Sequence, residues 1–150
     1  MDLKTLTELR APSGHEQPIR RALLAELKDM GLTPALDRMG NVVVVKPGTK
    51  ADAPRVLVAA HMDEVGLLVA NVTEEGFLRT LPIGGVDSRV IISKRVLCGD
   101  EGIPGVIGAM AIHLQTAEDR KHVLSYDDIY VDIGAKDKAE AEAKCPMGTY

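Results

Sequence analysis

The stretch Arg55-Val56-Leu57-Val58-Ala59-Ala60-His61-Met62-Asp63-Glu64-Val65-Gly66 constrains this chain most, because a short apolar run stops at a histidine with a carboxylate two residues on. An uninterrupted apolar run of this length, preceded by turn residues, fits a strand covered on both faces, as in a parallel sheet. Ligands of open α/β sheets gather at the carboxyl ends of such strands. If the backbone stays extended past Ala60, side chains at i and i+2 share a face, and His61 and Asp63 point into one cleft. The expectation is a buried strand that delivers a candidate metal ligand, His61, with Asp63 beside it.

A catalytic zinc takes three protein ligands and a water, and a two-metal hydrolase adds a bridging carboxylate. His15, His113 and His122 are the other histidines. None has a partner at metal-binding spacing, so all three read as surface or locally hydrogen-bonded residues. Glu64 is no general base by adjacency, since successive strand positions face opposite sides. The same geometry weakens a glycosidase reading, which needs two carboxyl groups confronting each other across a substrate.

The chain is 150 residues long and 45% hydrophobic, enough for one globular domain or two small units. A net charge of −4 without basic clusters gives no footprint for nucleic acid or an anionic membrane surface. Three tyrosines and one phenylalanine are too few to argue for base stacking. The first residues lack a signal-peptide core and no apolar run reaches membrane-span length, so a cytoplasmic location is expected. Cys98 and Cys145 read as reduced thiols, because two isolated cysteines make no disulfide framework.

Leu3, Leu6 and Leu9 after Asp2 predict a short capped helix. A second helix is expected from about Glu16 to Met30, with Ile19, Leu23, Leu24, Leu27 and Met30 as its apolar stripe and Gly31 as its stop. Ser13 and Glu16 have capping-box spacing, but Pro18 favours a start nearer Gln17. Asn41-Val42-Val43-Val44-Val45-Lys46 predicts a strand closed by Pro47 and Gly48. Residues 65–72 and 76–81 predict a hairpin around Thr73-Glu74-Glu75. From Gly84 the glycines divide the chain into short pieces, such as Val90-Ile91-Ile92 and Gly105-Val106-Ile107-Gly108, with the spacing of a small barrel or sandwich. No phosphate-binding glycine motif is present, so these glycines read as turn and bulge positions. Ile129-Tyr130-Val131-Asp132-Ile133 predicts another strand, and Asp137 caps a short alanine-rich helix.

The order of Ala11-Pro12-Ser13-Gly14-x-Glu16, Gly40-Asn41, Ala60-His61-Met62-Asp63-Glu64-Val65-Gly66, Gly84-Gly85-x-Asp87, Gly105-Val106-Ile107-Gly108, His113-Leu114 and Asp132-Ile133-Gly134-Ala135 resembles the metallopeptidases of family forty-two, the tetrahedral, glutamyl-aminopeptidase-like enzymes. The resemblance implies an α/β fold: residues 1–66 as the amino-terminal part of an open-sheet peptidase domain, and residues 67–150 as a small, β-barrel-like dimerisation domain running back towards the remainder of the peptidase domain. It implies hydrolysis of the N-terminal residue of a peptide at a site of two divalent metals, zinc or cobalt. His61 would be a metal ligand and Asp63 the catalytic residue that sets that ligand's geometry and basicity. The bridging aspartate, the glutamate base and the other ligands would lie in segments beyond Tyr150, so this chain is expected to be an incomplete enzyme, inactive alone. A peptide substrate and a homo-oligomer through the β-rich part are the implied partners. The alternative is a non-catalytic oligomerisation module in which His61 is a remnant.

Overall fold

The computed structural model describes residues 1–150, and these divide into two compact units, Met1–Glu64 and Val65–Tyr150. In the first, α1 (Leu3–Thr7) starts where the Asp2 side chain accepts the Thr5 amide at 2.8 Å. This satisfies one of the amides a helix start leaves unpaired. The longer α2 (Gln17–Asp29) begins at Gln17, with Pro18 in the first turn where no intrahelical donor is lost, and stops at Gly31. Ile19, Leu23, Leu24 and Leu27 are half-buried along one face, whereas Met30 is exposed and does not extend the stripe.

Two short strands follow, β1 (Ala35–Leu36) and β2 (Val42–Val43), paired antiparallel. Asp37 shapes their connection by accepting the Met39 and Asn41 amides, each at 2.9 Å. The strand expected over residues 41–46 is therefore confined to its first two valines.

The strand expected to end at His61 does not form. Residues 53–63 form no strand, and Val56, Leu57 and Val58 are 80%, 89% and 91% exposed. A strand is defined by its ladder. The β1–β2 pair engages other residues, and no strand of the first unit pairs with 56–60. What ties this region down is Glu64, whose amide donates to the Ala11 carbonyl (3.0 Å) and whose carboxylate accepts the Ala11 amide (3.0 Å). Ala11 and Pro12 are the buried residues of the unit.

The second unit is an open five-stranded sheet in the order β3 (Gly66–Val72), β4 (Leu78–Ile83), β7 (Ile129–Asp132), β6 (Ile103–Ala109), β5 (Arg95–Cys98), antiparallel throughout. The predicted hairpin is β3–β4. Its turn is closed by Thr73 and Phe77 (2.9 Å) and by Gly76, whose φ of +87° lies in the left-handed region. Alternate residues point into one core: Leu78 from β4, Ile129 and Val131 from β7 and Ile107 from β6, joined by Val69, Val72, Cys98, Cys145 and Ala141 of α4 (Lys138–Lys144). The Asp137 side chain caps α4 by accepting the Glu140 amide at 2.9 Å.

Val90-Ile91-Ile92 is not a strand. Asp87 caps the single helical turn α3 (Ser88–Ile91) by accepting the Arg89 amide (2.9 Å) and pairing with its guanidinium, and this local bonding overrides the β propensity of the apolar triplet. Strands β3 and β5 are the edges of the sheet and do not pair with each other. Instead Val69 of β3 exchanges hydrogen bonds with Thr149 (2.7 Å) and Gly148 (2.9 Å), while Gly99, just after β5, donates to Tyr150 (2.6 Å). Residues 148–150 thus strap one edge to the other. No helix is long and apolar enough to cross a membrane.

Candidate metal-binding site

Irregular though it is, the segment 61–64 brings His61 and Asp63 together. The His61 Nδ1 lies 3.0 Å from Asp63 Oδ1 and 2.9 Å from the Asp63 carbonyl oxygen. Both neighbours are acceptors, so Nδ1 must carry the proton and donate. In the neutral ring Nε2 then holds the lone pair. The His61 side chain is 85% exposed, which leaves Nε2 open to a ligand.

Asp63 is also held from its other side, where the Ser13 hydroxyl donates to Oδ2. That bond, followed by the one from His61, holds the Asp63 carboxyl below its ordinary range. The group is a carboxylate at neutral pH, which makes it a strong acceptor for Nδ1–H. Its neighbour Glu64 faces the other way and bonds Ala11, in line with a structural rather than a chemical role.

The loop that presents Ser13 has its own order. Gly14 takes φ +88°, and the His15 amide donates to the Pro12 carbonyl at 2.8 Å. Glu16 accepts the Gly14 amide at 2.7 Å, the largest cause of its lowered pKa, and meets Arg20 at 3.4 Å. The capping box suggested by Ser13 and Glu16 does not form, because each side chain is engaged elsewhere. Ser13 is the residue that sequence reasoning missed. Its only signal was its place in the Ala11–Gly14 turn, because a contact between positions 13 and 63 leaves no mark on spacing.

His113 lies on an exposed 3₁₀ turn and His122 just after another, near Glu118 at 3.6 Å. No cluster of three or more His, Cys, Asp or Glu side chains stands ready to hold a metal. The donor chemistry of His61, with a carboxylate on one nitrogen and a free lone pair on the other, fits a single metal ligand with its supporting carboxylate. It does not make a complete site.

Residues 40–150 match the family of M42 glutamyl aminopeptidases, and the chain belongs to that family. It is 37% identical over 144 residues to the lysyl aminopeptidase of Pyrococcus furiosus, covering 93% of this chain and 41% of that protein. To the glutamyl aminopeptidase of Lactococcus lactis it is 35% identical over 143 residues, covering 93% and 40%. Among solved structures it superposes on the TET aminopeptidase of the Thaumarchaeota archaeon SCGC AB-539-E09 with a TM-score of 0.88 at 31% identity, covering 98% of this chain and 42% of that one. The TET1 peptidase of Pyrococcus horikoshii, which assembles into a tetrahedron or a large octahedral shell, gives 0.81 at 37% identity, covering 98% and 44%. The chain therefore spans about two fifths of the length of these relatives.

Proposed function

We propose that this chain supplies the first metal ligand of a metal-dependent aminopeptidase that removes N-terminal residues from peptides. His61 is that ligand, through Nε2, and Asp63 is the carboxylate that orients it. The observation that carries the reading is the Asp63 carboxylate on His61 Nδ1 at 3.0 Å, within a chain of the M42 family. Divalent zinc or cobalt, two ions in a complete site, supplies a Lewis acid that polarises the scissile carbonyl. The part played by this chain is to hold the imidazole in one tautomer, to keep the Asp63 carboxylate ionised, and to fix both against the 11–14 loop. The further ligands and the general base belong to residues outside these 150, so the chain is expected to be inactive alone. Residues 67–150 serve dimerisation and higher assembly, a reading supported by the assembling relative. Free buried thiols at Cys98 and Cys145 are in keeping with a cytoplasmic setting.

Calorimetric titration of the purified chain with Co²⁺ and Zn²⁺, beside His61→Ala, tests the proposal. Each sample is also assayed on unblocked and N-acetylated peptides. Binding that disappears in His61→Ala, with hydrolysis of unblocked peptides only once the remainder of a family member is supplied in trans, is the expected result. An unchanged absence of binding in both proteins, with stable dimers by sedimentation, would instead establish a non-catalytic oligomerisation module.

A further inference from the structure

We infer that Ser13 is a positioning residue for His61, acting through Asp63. The inference rests on the metal-ligand reading of His61 for its purpose, but its geometry stands by itself. Asp63 has two carboxylate oxygens and two partners: Oδ1 takes His61 Nδ1–H, and Oδ2 takes the Ser13 hydroxyl proton. A carboxylate held at one oxygen still turns about its last side-chain bond, which is broad and weakly restrained. Held at both, its plane is set, and with it the direction from which His61 is gripped.

The Ser13 hydroxyl is available for this work because the neighbouring helix does not use it. Glu16, the other half of the capping-box pattern, is taken up by Gly14 and Arg20. The loop itself is registered against residues 61–64 by the two Ala11–Glu64 hydrogen bonds, both 3.0 Å, formed two positions before Ser13 and one after Asp63. Ser13 is thus carried to Asp63 by backbone bonds that do not involve its own side chain. Removing the hydroxyl should leave the loop in place and free only the carboxylate. His61 Nδ1–H would then keep only the Asp63 carbonyl oxygen, at 2.9 Å, as a set acceptor, and the ring would exchange more freely between its two neutral tautomers instead of holding the one that exposes the Nε2 lone pair.

The test is the ring-nitrogen spectrum of His61 in ¹⁵N-labelled, metal-free protein at about pH 8, above the ordinary imidazole range. Wild type should show Nδ1 protonated and Nε2 unprotonated. Ser13→Ala should move the spectrum most of the way to that of Asp63→Ala, the reference for a ring that keeps only the residue-63 backbone carbonyl as acceptor, while Ser13→Thr restores the wild-type pattern. In a Co²⁺ titration Ser13→Ala should bind roughly tenfold more weakly than wild type and Ser13→Thr should not. If Ser13→Ala fails to give a folded amide spectrum, Ser13→Thr and Ser13→Val, nearly equal in shape and different in the hydroxyl, decide the matter. A wild-type His61 spectrum in Ser13→Ala, or in Ser13→Val, overturns the inference even if Co²⁺ binds through His61. A tautomer that responds to Ser13 in a protein that binds no metal leaves the positioning role standing and removes the metalloenzyme reading alone.

Discussion

The two compact units treat similar apolar sequence in opposite ways. Gly66–Val72 becomes a paired strand with Val69 and Val72 buried, whereas Val56–Ala60, as rich in branched residues, stays unpaired and exposed. The difference is access to a partner. Gly66–Val72 meets the next segment across a tight turn at Thr73–Gly76, so its ladder forms locally, while 56–60 needs a neighbour that nothing nearby in the first unit provides. Hydrophobicity fills a core only where topology first brings two elements together. The second unit therefore holds nearly all the buried apolar side chains, and the first holds the candidate site.

The contrast can be broken most strongly at Leu78, which is fully buried between β3 and β7. Leu78→Ala should cost about 2–5 kcal/mol in urea denaturation, and a loss below about 1 kcal/mol would mean that the second unit is not the stable one. Next comes pH. Burial, and then the neighbouring Cys145, push the Cys98 thiol from 9.0 to about 11. The folded state holds this proton more tightly than the unfolded one. Its stabilising contribution is therefore fully present below pH 9.0 and is lost as pH rises towards about 11, on the order of 2 kcal/mol in all. Urea midpoints measured across that window should fall in wild type and fall less in Cys98→Ala.

Gly76→Ala sharpens the local-hairpin argument. An added Cβ would sit 2.9 Å from the Asp137 carbonyl oxygen and 3.1 Å from that of Ala135, at a positive φ. The left-handed backbone alone costs about 1–2 kcal/mol for a non-glycine residue, so the thermal midpoint should drop by several degrees. The smallest effect is expected at Leu57→Ala, within about 0.5 kcal/mol of wild type, because the side chain is 89% exposed. A large loss there would show that 56–60 is covered in solution by another copy of the chain.

Legibility followed the same division. The β3–β4 hairpin, α2 and the Asp137 cap were readable because each depends on residues within a few positions of one another, and β6 and β7 were readable from their apolar segments although their ladders join residues far apart in the chain. The apolar run before His61 was readable as a strand and is not one, since a buried strand and an unpartnered one have the same letters. Val90–Ile92 misled in the same sense for a different reason, because Asp87 and Arg89 settle that turn through side-chain bonds that propensity does not register. At the site, the i, i+2 spacing anticipated the meeting of His61 and Asp63. It could not anticipate Ser13, fifty positions away, nor the Ala11–Glu64 tie that carries Ser13 there.

The strap at residues 148–150 has a consequence for the order of events during synthesis. Gly148–Tyr150 follow every strand of the sheet in chain order, so during synthesis the outer edge of β3 stays bare until they arrive, while every other strand of its sheet is already available to pair. Bare edges recruit strands from other molecules. The nascent chain is thus most open to mispairing just before residues 148–150 emerge, and a helper that shields Val69 would be needed only for that interval.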